Sequence, residues 1–124
     1  MAKYLLLLIC TFCLSDTQAA SCTKWQYAVL SFTTNTTIND GALEKVDTFV
    51  TWFSSDSSGV WQNNKPLSGS INQPLTEYFS IKSVYKIDIL NELGRRGWEA
   101  YGYHRVQISE SDSSQDWQFK KCSI

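Results

Sequence analysis

Histidine is almost missing from this sequence of 124 residues, His104 being the single one. No second imidazole and no HxxE-type spacing accompanies it, so the further ligands that a protein-bound metal needs are not supplied. Basic clusters are missing too. Lys and Arg number 11 against 12 Asp and Glu, for a net charge of −1, and they are scattered along the chain. That excludes the electrostatic footprint of a nucleic-acid binder. The only long apolar block, Tyr4 to Leu14, is shorter than the ~20 residues that span a bilayer. No second such run follows, so no transmembrane segment is expected.

Catalytic frames are equally scarce. The serine-rich stretch Ser54-Ser55-Asp56-Ser57-Ser58-Gly59 contains no GxSxG elbow that would set a hydroxyl on a strained turn. The segments beginning at Gly41 and Gly69 lack the frame of a phosphate-cradling loop. From these absences the sequence assigns no catalytic residue, no metal and no cofactor.

What is present begins with a targeting layout. Lys3 forms a short positive region, Tyr4 to Leu14 an apolar core, and Thr17-Gln18-Ala19-Ala20-Ser21 a small-residue stretch, which together have the order of a secretory signal peptide. Residues 1–19 are read as that signal and 20–124 as a single α+β domain, secreted or periplasmic. Removing Lys3 and Asp16 takes one charge of each sign, so the mature net charge stays near −1.

Export gives the cysteines a meaning. Cys10 and Cys13 leave with the signal, while Cys22 and Cys122 stay at the two ends of the mature chain, which suggests one disulfide in an oxidising compartment. Closing a loop of roughly 100 residues is worth about 4.7 kcal/mol on the chain-entropy model. The rival for Cys22 is a lipid anchor on the cysteine after a cleavage site. Ala19-Ala20-Ser21 suits it, yet the large aliphatic residue three positions before the cysteine is missing, and lipidation leaves Cys122 unpaired.

Along the mature chain, Trp25 to Phe32 reads as a strand and Thr33 to Asp40 as loop. Ala42 to Phe53 fits a helical face through Ala42, Leu43, Val46, Phe49, Val50 and Phe53, but Val46 to Phe53 has strand composition. The serine turn and the return Val60-Trp61-Gln62 favour a strand hairpin. Asn63 to Gln73, inside a long polar excursion within 54–80, reads as surface loop.

Ser83 is placed to cap a helix through Val84, Ile87, Leu90 and Leu93, widened by Tyr85 and Ile89. Arg95 and Arg96 fall in its last turn, where positive charge opposes the helix dipole, and Gly97 suits the left-handed residue that ends it. From Trp98 to Ile108 the period becomes two. Trp98, Ala100, Gly102, His104, Val106 and Ile108 share one face, expected under the helix, and Glu99, Tyr101, Tyr103, Arg105 and Gln107 the other. Glu110 to Gln115 reads as a turn, and Asp116 to Cys122 as the last strand. Pairing the terminal strands with Cys22 opposite Cys122 sets Trp25 against Phe119, Tyr27 against Trp117 and Lys24 against Lys120. The fold expected is an antiparallel sheet of about four or five strands with one helix packed on one face, closed by a terminal disulfide.

Three pieces together, Trp25-Gln26-Tyr27, Leu90-Asn91-Glu92-Leu93-Gly94 with Gly97-Trp98-Glu99, and Trp117-Gln118-Phe119-Lys120-Lys121, resemble the small bacterial domain-of-unknown-function family 4177. Its pattern is a W-x-Y first strand, an LNxLGxxGWE helix-to-strand corner and a final F-K strand. The chain departs from it in carrying Arg95-Arg96 between the glycines and in a longer region from Asn35 to Ser80. The resemblance covers roughly 45 residues, Leu90 to Glu99 being its specific part, and implies a small α+β sheet with one helix and no chemistry.

His104 is a general base or ligand on one reading and a hydrogen-bonded, partly buried imidazole on the other. Glu99 is an acid or base beside Arg105 and Tyr101, or a local ion-pair partner. Most of Trp25, Trp52, Trp61, Trp98 and Trp117 are expected to fill the core. Tyr101, Tyr103 and Arg105, on the face away from the helix, have the composition of a binding patch for a protein or glycan. Asn35-Thr36-Thr37 has the form of an N-glycosylation acceptor. Three functions compete: a non-enzymatic exported binding module using Tyr101, Tyr103 and Arg105; a small exported hydrolase using Glu99 or His104; and an envelope lipoprotein anchored at Cys22.

Overall fold

The computed structural model describes residues 21–123. The signal peptide read over 1–19, with Cys10 and Cys13, lies outside the described residues.

Among the described residues six strands and two helices follow in the order β1 (Trp25–Asn39), β2 (Ala42–Ser54), β3 (Ser58–Gln62), β4 (Lys65–Gly69), α1 (Leu75–Phe79), α2 (Lys86–Arg95), β5 (Glu99–Gln107) and β6 (Asp112–Cys122). The strands form one antiparallel sheet ordered β4-β3-β2-β1-β6-β5. The α+β class and the closing disulfide are as expected, while the sheet is larger than four or five strands and a second helix is present.

The extra length has local causes. Thr33 to Asn39 continues β1 and is not a loop, because its run of threonines with Ile38 is β-branched and sits well on a pleated surface. Asp40 and Gly41 both have positive φ, 51° and 76°, the backbone of a two-residue hairpin turn whose twist matches the flanking strands. β2 accordingly starts at Ala42, and the strand choice for Val46 to Phe53 holds. Ser109 to Ser111 suffice to turn β5 into β6: Ile108 N–H donates to the Asp112 carbonyl at 2.9 Å. The last strand thus begins at Asp112, within the expected loop.

Part of the polar excursion is ordered as well. β4 is an edge strand, where Pro66 removes no needed ladder donor. Asn64 ties the turn before it to α1: its side-chain oxygen accepts from Thr76 N–H at 2.9 Å and its carbonyl from Leu75 N–H at 3.3 Å. These bonds satisfy N–H groups that a short helix leaves open.

Both helices lie on one face of the sheet, over its centre. The core joins Ala28, Leu30 and Phe32 of β1, Val50 and Trp52 of β2 and Trp61 of β3 with Leu75 and Phe79 of α1, Ile89 and Leu93 of α2 and Phe119 of β6. Trp52 is its hub, with ring centroids 5.4 Å from Trp98 and 6.0 Å from Phe79 in edge-to-face geometry. Each buried indole has a hydrogen-bond acceptor: Ser57 Oγ at 3.3 Å from Trp52 Nε1, and the Gln73 carbonyl at 2.9 Å from Trp61 Nε1.

Helix α2 starts later than Ser83. Its N-cap is Tyr85, in extended conformation and without a side-chain cap, while the Ser83 hydroxyl donates to the Asp88 carboxylate. The buried stripe is Ile89 and Leu93 with Leu90 packed beside them, and Tyr85 and Ile87 face solvent. The stripe is rotated from the one read through Val84 and Ile87 because Lys86, Ile89, Leu90 and Leu93 follow the i, i+3, i+4, i+7 spacing.

The Arg95-Arg96 pair does more than oppose the dipole. Both guanidiniums donate to the buried Glu92 carboxylate, Arg95 Nε at 2.8 Å and Arg96 Nε at 3.0 Å, and Arg96 Nη2 also reaches the Tyr78 carbonyl at 3.2 Å. The hydrogen bonds from Arg95 first and Arg96 second hold the Glu92 carboxyl down to about 2. The cluster locks the end of α2 to α1. Gly97 follows with φ +90°, as the helix-to-strand corner requires.

Cys22 and Cys122 are bonded, with Cα atoms 5.6 Å apart. A sulfur in that bond is not available for a thioether to lipid. The strand register differs from the expected one. Trp25 pairs with Cys122, Tyr27 with Lys120, Ala28 with Phe119 and Leu30 with Trp117. This shift of three residues places the disulfide before the ladder, and it puts Ala28 and Leu30 on the same buried face as Phe119, where the pleat demands them.

Candidate functional site

Successive residues of a strand face opposite sides. Ala28, Leu30 and Phe32 point into the core, so Tyr27, Val29 and Ser31 look outward from the sheet face that carries no helix. Val29 pairs with Phe53 of β2 and with Gln118 of β6, and paired residues share a side, so Phe53 and Gln118 look the same way. Trp25 lies at one end of this row with the Lys120 ammonium 4.5 Å from its ring centroid.

Strand β5 reaches that face through one irregularity. Ala100 pairs with Phe119 and Gly102 with Gln118, leaving Tyr101 unpaired in a β-bulge. The bulged residue turns to the helix-free side, where its ring meets Tyr27 edge-on at 6.1 Å and 82°. The result is a shallow depression of about 630 Å³ bordered by Tyr27, Val29, Phe53, Tyr101 and Gln118. Its apolar members are open to solvent: Tyr27 is 56%, Phe53 64%, Tyr101 52% and Val29 37% exposed.

The bulge divides the expected patch. Tyr103 pairs with Trp117 and Arg105 with Gln115, and the Tyr103 ring lies 4.8 Å from that of Trp117, which itself packs on the core. Tyr103 and Arg105 therefore stand on the helix side and Tyr101 on the other, so the three are not one strip. A single strip requires unbroken alternation along β5, and one extra residue inverts every side chain after it. For the same reason His104 and Val106 lie on the helix-free side. β5 is not covered by α2 at all; it is an edge strand, exposed along nearly all its length.

The two candidate acid–base residues, Glu99 and His104, stand apart on β5. Glu99 pairs with Lys120 and His104 with Asp116, four positions apart on β6, which is about 13 Å at the rise of a strand. His104 Nε2 lies 3.7 Å from Asp116 Oδ2, and Ser114 Oγ donates to Asp116 Oδ1 at 2.9 Å. Serine, aspartate and histidine are thus neighbours, but not in the order of a serine–histidine–carboxylate relay. The carboxylate sits between the other two, the serine proton is directed at it, and among the described residues no hydroxyl is hydrogen-bonded to the imidazole. Among the described residues no group of His, Cys, Asp and Glu has the spacing of a metal site.

Trp25, Tyr27, Val29 and Phe53 escaped the sequence reading as a patch. The signal was present in β1, where Tyr27 and Val29 alternate with Ala28, Leu30 and Phe32. A strand apolar on both faces has either a second covering layer or an open apolar side. Comparison with protein-family models, curated proteins and solved structures finds no match. The geometry of the two sheet faces is accordingly what bears on function.

Proposed function

We propose that the chain is an exported, non-enzymatic binding module that takes a protein partner on the helix-free face of its sheet, at Tyr27, Val29, Phe53 and Tyr101. The observation that carries this is the gathering of these exposed apolar and aromatic side chains in one depression, with Trp25 and Lys120 at its border. Aromatic anchors ringed by polar groups are the composition of interface centres, and a contiguous exposed apolar patch invites a covering surface. Val29 and Phe53 offer no hydrogen bond, which favours a protein over a glycan. Arg105 and Tyr103 leave this patch by their place on the other face.

Export is supported by the Cys22–Cys122 bond, since such bonds persist outside reducing compartments, and by the secretory layout of residues 1–19. Among the described residues no helix is long and apolar enough to cross a membrane. The corner Leu90 to Glu99 resembles that of the domain-of-unknown-function family 4177, a resemblance that brings no chemistry to this function.

The test is site-specific photocrosslinking in the producing cell. A photoreactive residue at Phe53 is expected to yield one discrete protein adduct, and the same residue at Glu77, exposed on α1, none. Adducts from Glu77 alone, or none from Phe53, would remove the helix-free face as the docking site. Glycan-bearing adducts would assign the patch to sugar.

A further inference from the structure

A second cavity, on the opposite side of the sheet, carries its own chemistry. Strands β1, β2 and β6 run on past the N-terminal end of α2, so the helix layer stops short of the sheet. The gap is a cavity of about 380 Å³, at the small end of ligand pockets. Its floor is two rows of paired residues. Val50, Phe32 and Gln115 form the first, and Thr48, Thr34 and Ser113 the second. Val84 closes one side as an apolar wall.

Lys86 reaches into this space from the first turn of α2. Its ammonium lies 5.4 Å from the Phe32 ring centroid and 5.6 Å from that of Trp117, and it donates to the Gln115 side-chain oxygen. The half-buried ammonium has no carboxylate within ion-pair distance among the described residues. Gln115 uses one of its three protons, leaving two donors. Arg105, which pairs with Gln115 on the same face, adds positive charge at the edge. The nearest carboxylate in sequence, Asp88, is engaged by Ser83.

A cation held over aromatic rings at the end of a pocket floored by Phe32 and Val50 is complementary to an anion with an apolar body. We infer that this cavity is a binding site for a small amphiphilic carboxylate, its head on Lys86 and its tail along Phe32, Val50 and Val84. The hydroxyls of Thr34, Thr48 and Ser113 lie one row farther out, where they meet water or a polar substituent. Lysine, a point charge with free rotors, suits a carboxylate approached from one side. The site is on the other face of the sheet from the protein-docking patch and stands or falls separately from it.

The probe is octanoate, with 1-octanol as its uncharged counterpart, titrated into the full disulfide-bonded domain and followed by amide chemical shifts. Saturable shifts at Thr34, Thr48 and Gln115 are expected, with octanoate about tenfold tighter than octanol. Lys86→Met keeps the aliphatic stem over Phe32 and Trp117 and should bring octanoate to octanol's affinity, while Lys86→Arg should preserve the preference. Equal affinity for the two probes in the unaltered protein, shifts confined to Tyr27, Phe53 and Tyr101, or no saturation would each overturn the assignment. So would an octanoate preference that survives Lys86→Met. Should Lys86→Met fail to fold, the octanoate-to-octanol ratio and Lys86→Arg decide the matter alone.

Discussion

Removing the disulfide is the perturbation whose size the fold defines best. Cys22 and Cys122 are 100 positions apart, so the bond holds nearly the whole described chain in one loop. Its effect falls mainly on the unfolded ensemble, and the chain-entropy relation gives about 4.7 kcal/mol for a loop of that length. The native ends stay together without it, because Trp25 pairs beside Cys122 and Ser123 N–H donates to the Lys24 carbonyl at 2.8 Å. A domain of this size has roughly 5–15 kcal/mol in all, and each kcal/mol moves its midpoint by about 4–8 °C. A Cys22→Ser/Cys122→Ser double variant should therefore fold, keep the aromatic bands of its near-ultraviolet spectrum, and melt on the order of 20 °C lower or more. In urea its m-value should rise, since the unlinked denatured chain exposes more surface. A loss under ~1 kcal/mol at unchanged m would refute the reasoning, because the loop would then not constrain the denatured state. A collapsed spectrum would show instead that the bond shapes the native fold.

Other outcomes follow from particular residues. Gly97→Val should cost about 1–2 kcal/mol by urea unfolding, from positive φ alone, since a Cβ there meets nothing nearer than Lys121 Cε at 3.7 Å; full stability would contradict the corner's geometry. Leu93→Ala, at 1% exposure on the buried face of α2, should cost about 2–5 kcal/mol, measured the same way. The Glu92 carboxyl is held below its ordinary value of 4.5, down to about 2, so its contribution is full above about 4.5 and is lost as pH falls toward about 2. The stability difference between the unaltered protein and Glu92→Gln should accordingly shrink across that window; a difference independent of pH would mean the arginines do not clamp an ionised group.

The helix-to-strand corner was legible because its residues act locally: Gly97 supplies the positive φ and the arginines their charge in the last turn. The disulfide and the α+β class were legible for a similar reason, resting on residue type and period. What failed to show depended on partners far along the chain. Thr33 to Asn39 reads as a polar loop until Ala42 to Phe49 lies beside it. Ser83 looks like a cap until the packing of Ile89 and Leu93 fixes where the helix begins. The expected strip of Tyr101, Tyr103 and Arg105 is divided at a single residue, Tyr101, whose bulge adds nothing visible to the alternation of β5 but reverses the side on which Tyr103 and Arg105 emerge. Half of the proposed patch, Tyr27 and Phe53, comes from strands that only the register brings together.

That reversal makes two tyrosines of one strand the sharpest probe of the docking face. Tyr101→Ala and Tyr103→Ala should each be made and compared for affinity toward the partner captured by the crosslink at Phe53. The Tyr101→Ala variant is expected to bind about tenfold or more weakly, a loss of about 1.4 kcal/mol or greater, with Tyr103→Ala near the unaltered value. Equal losses, or a loss confined to Tyr103→Ala, would contradict the claim that the helix-free face of the sheet is where this protein meets its partner.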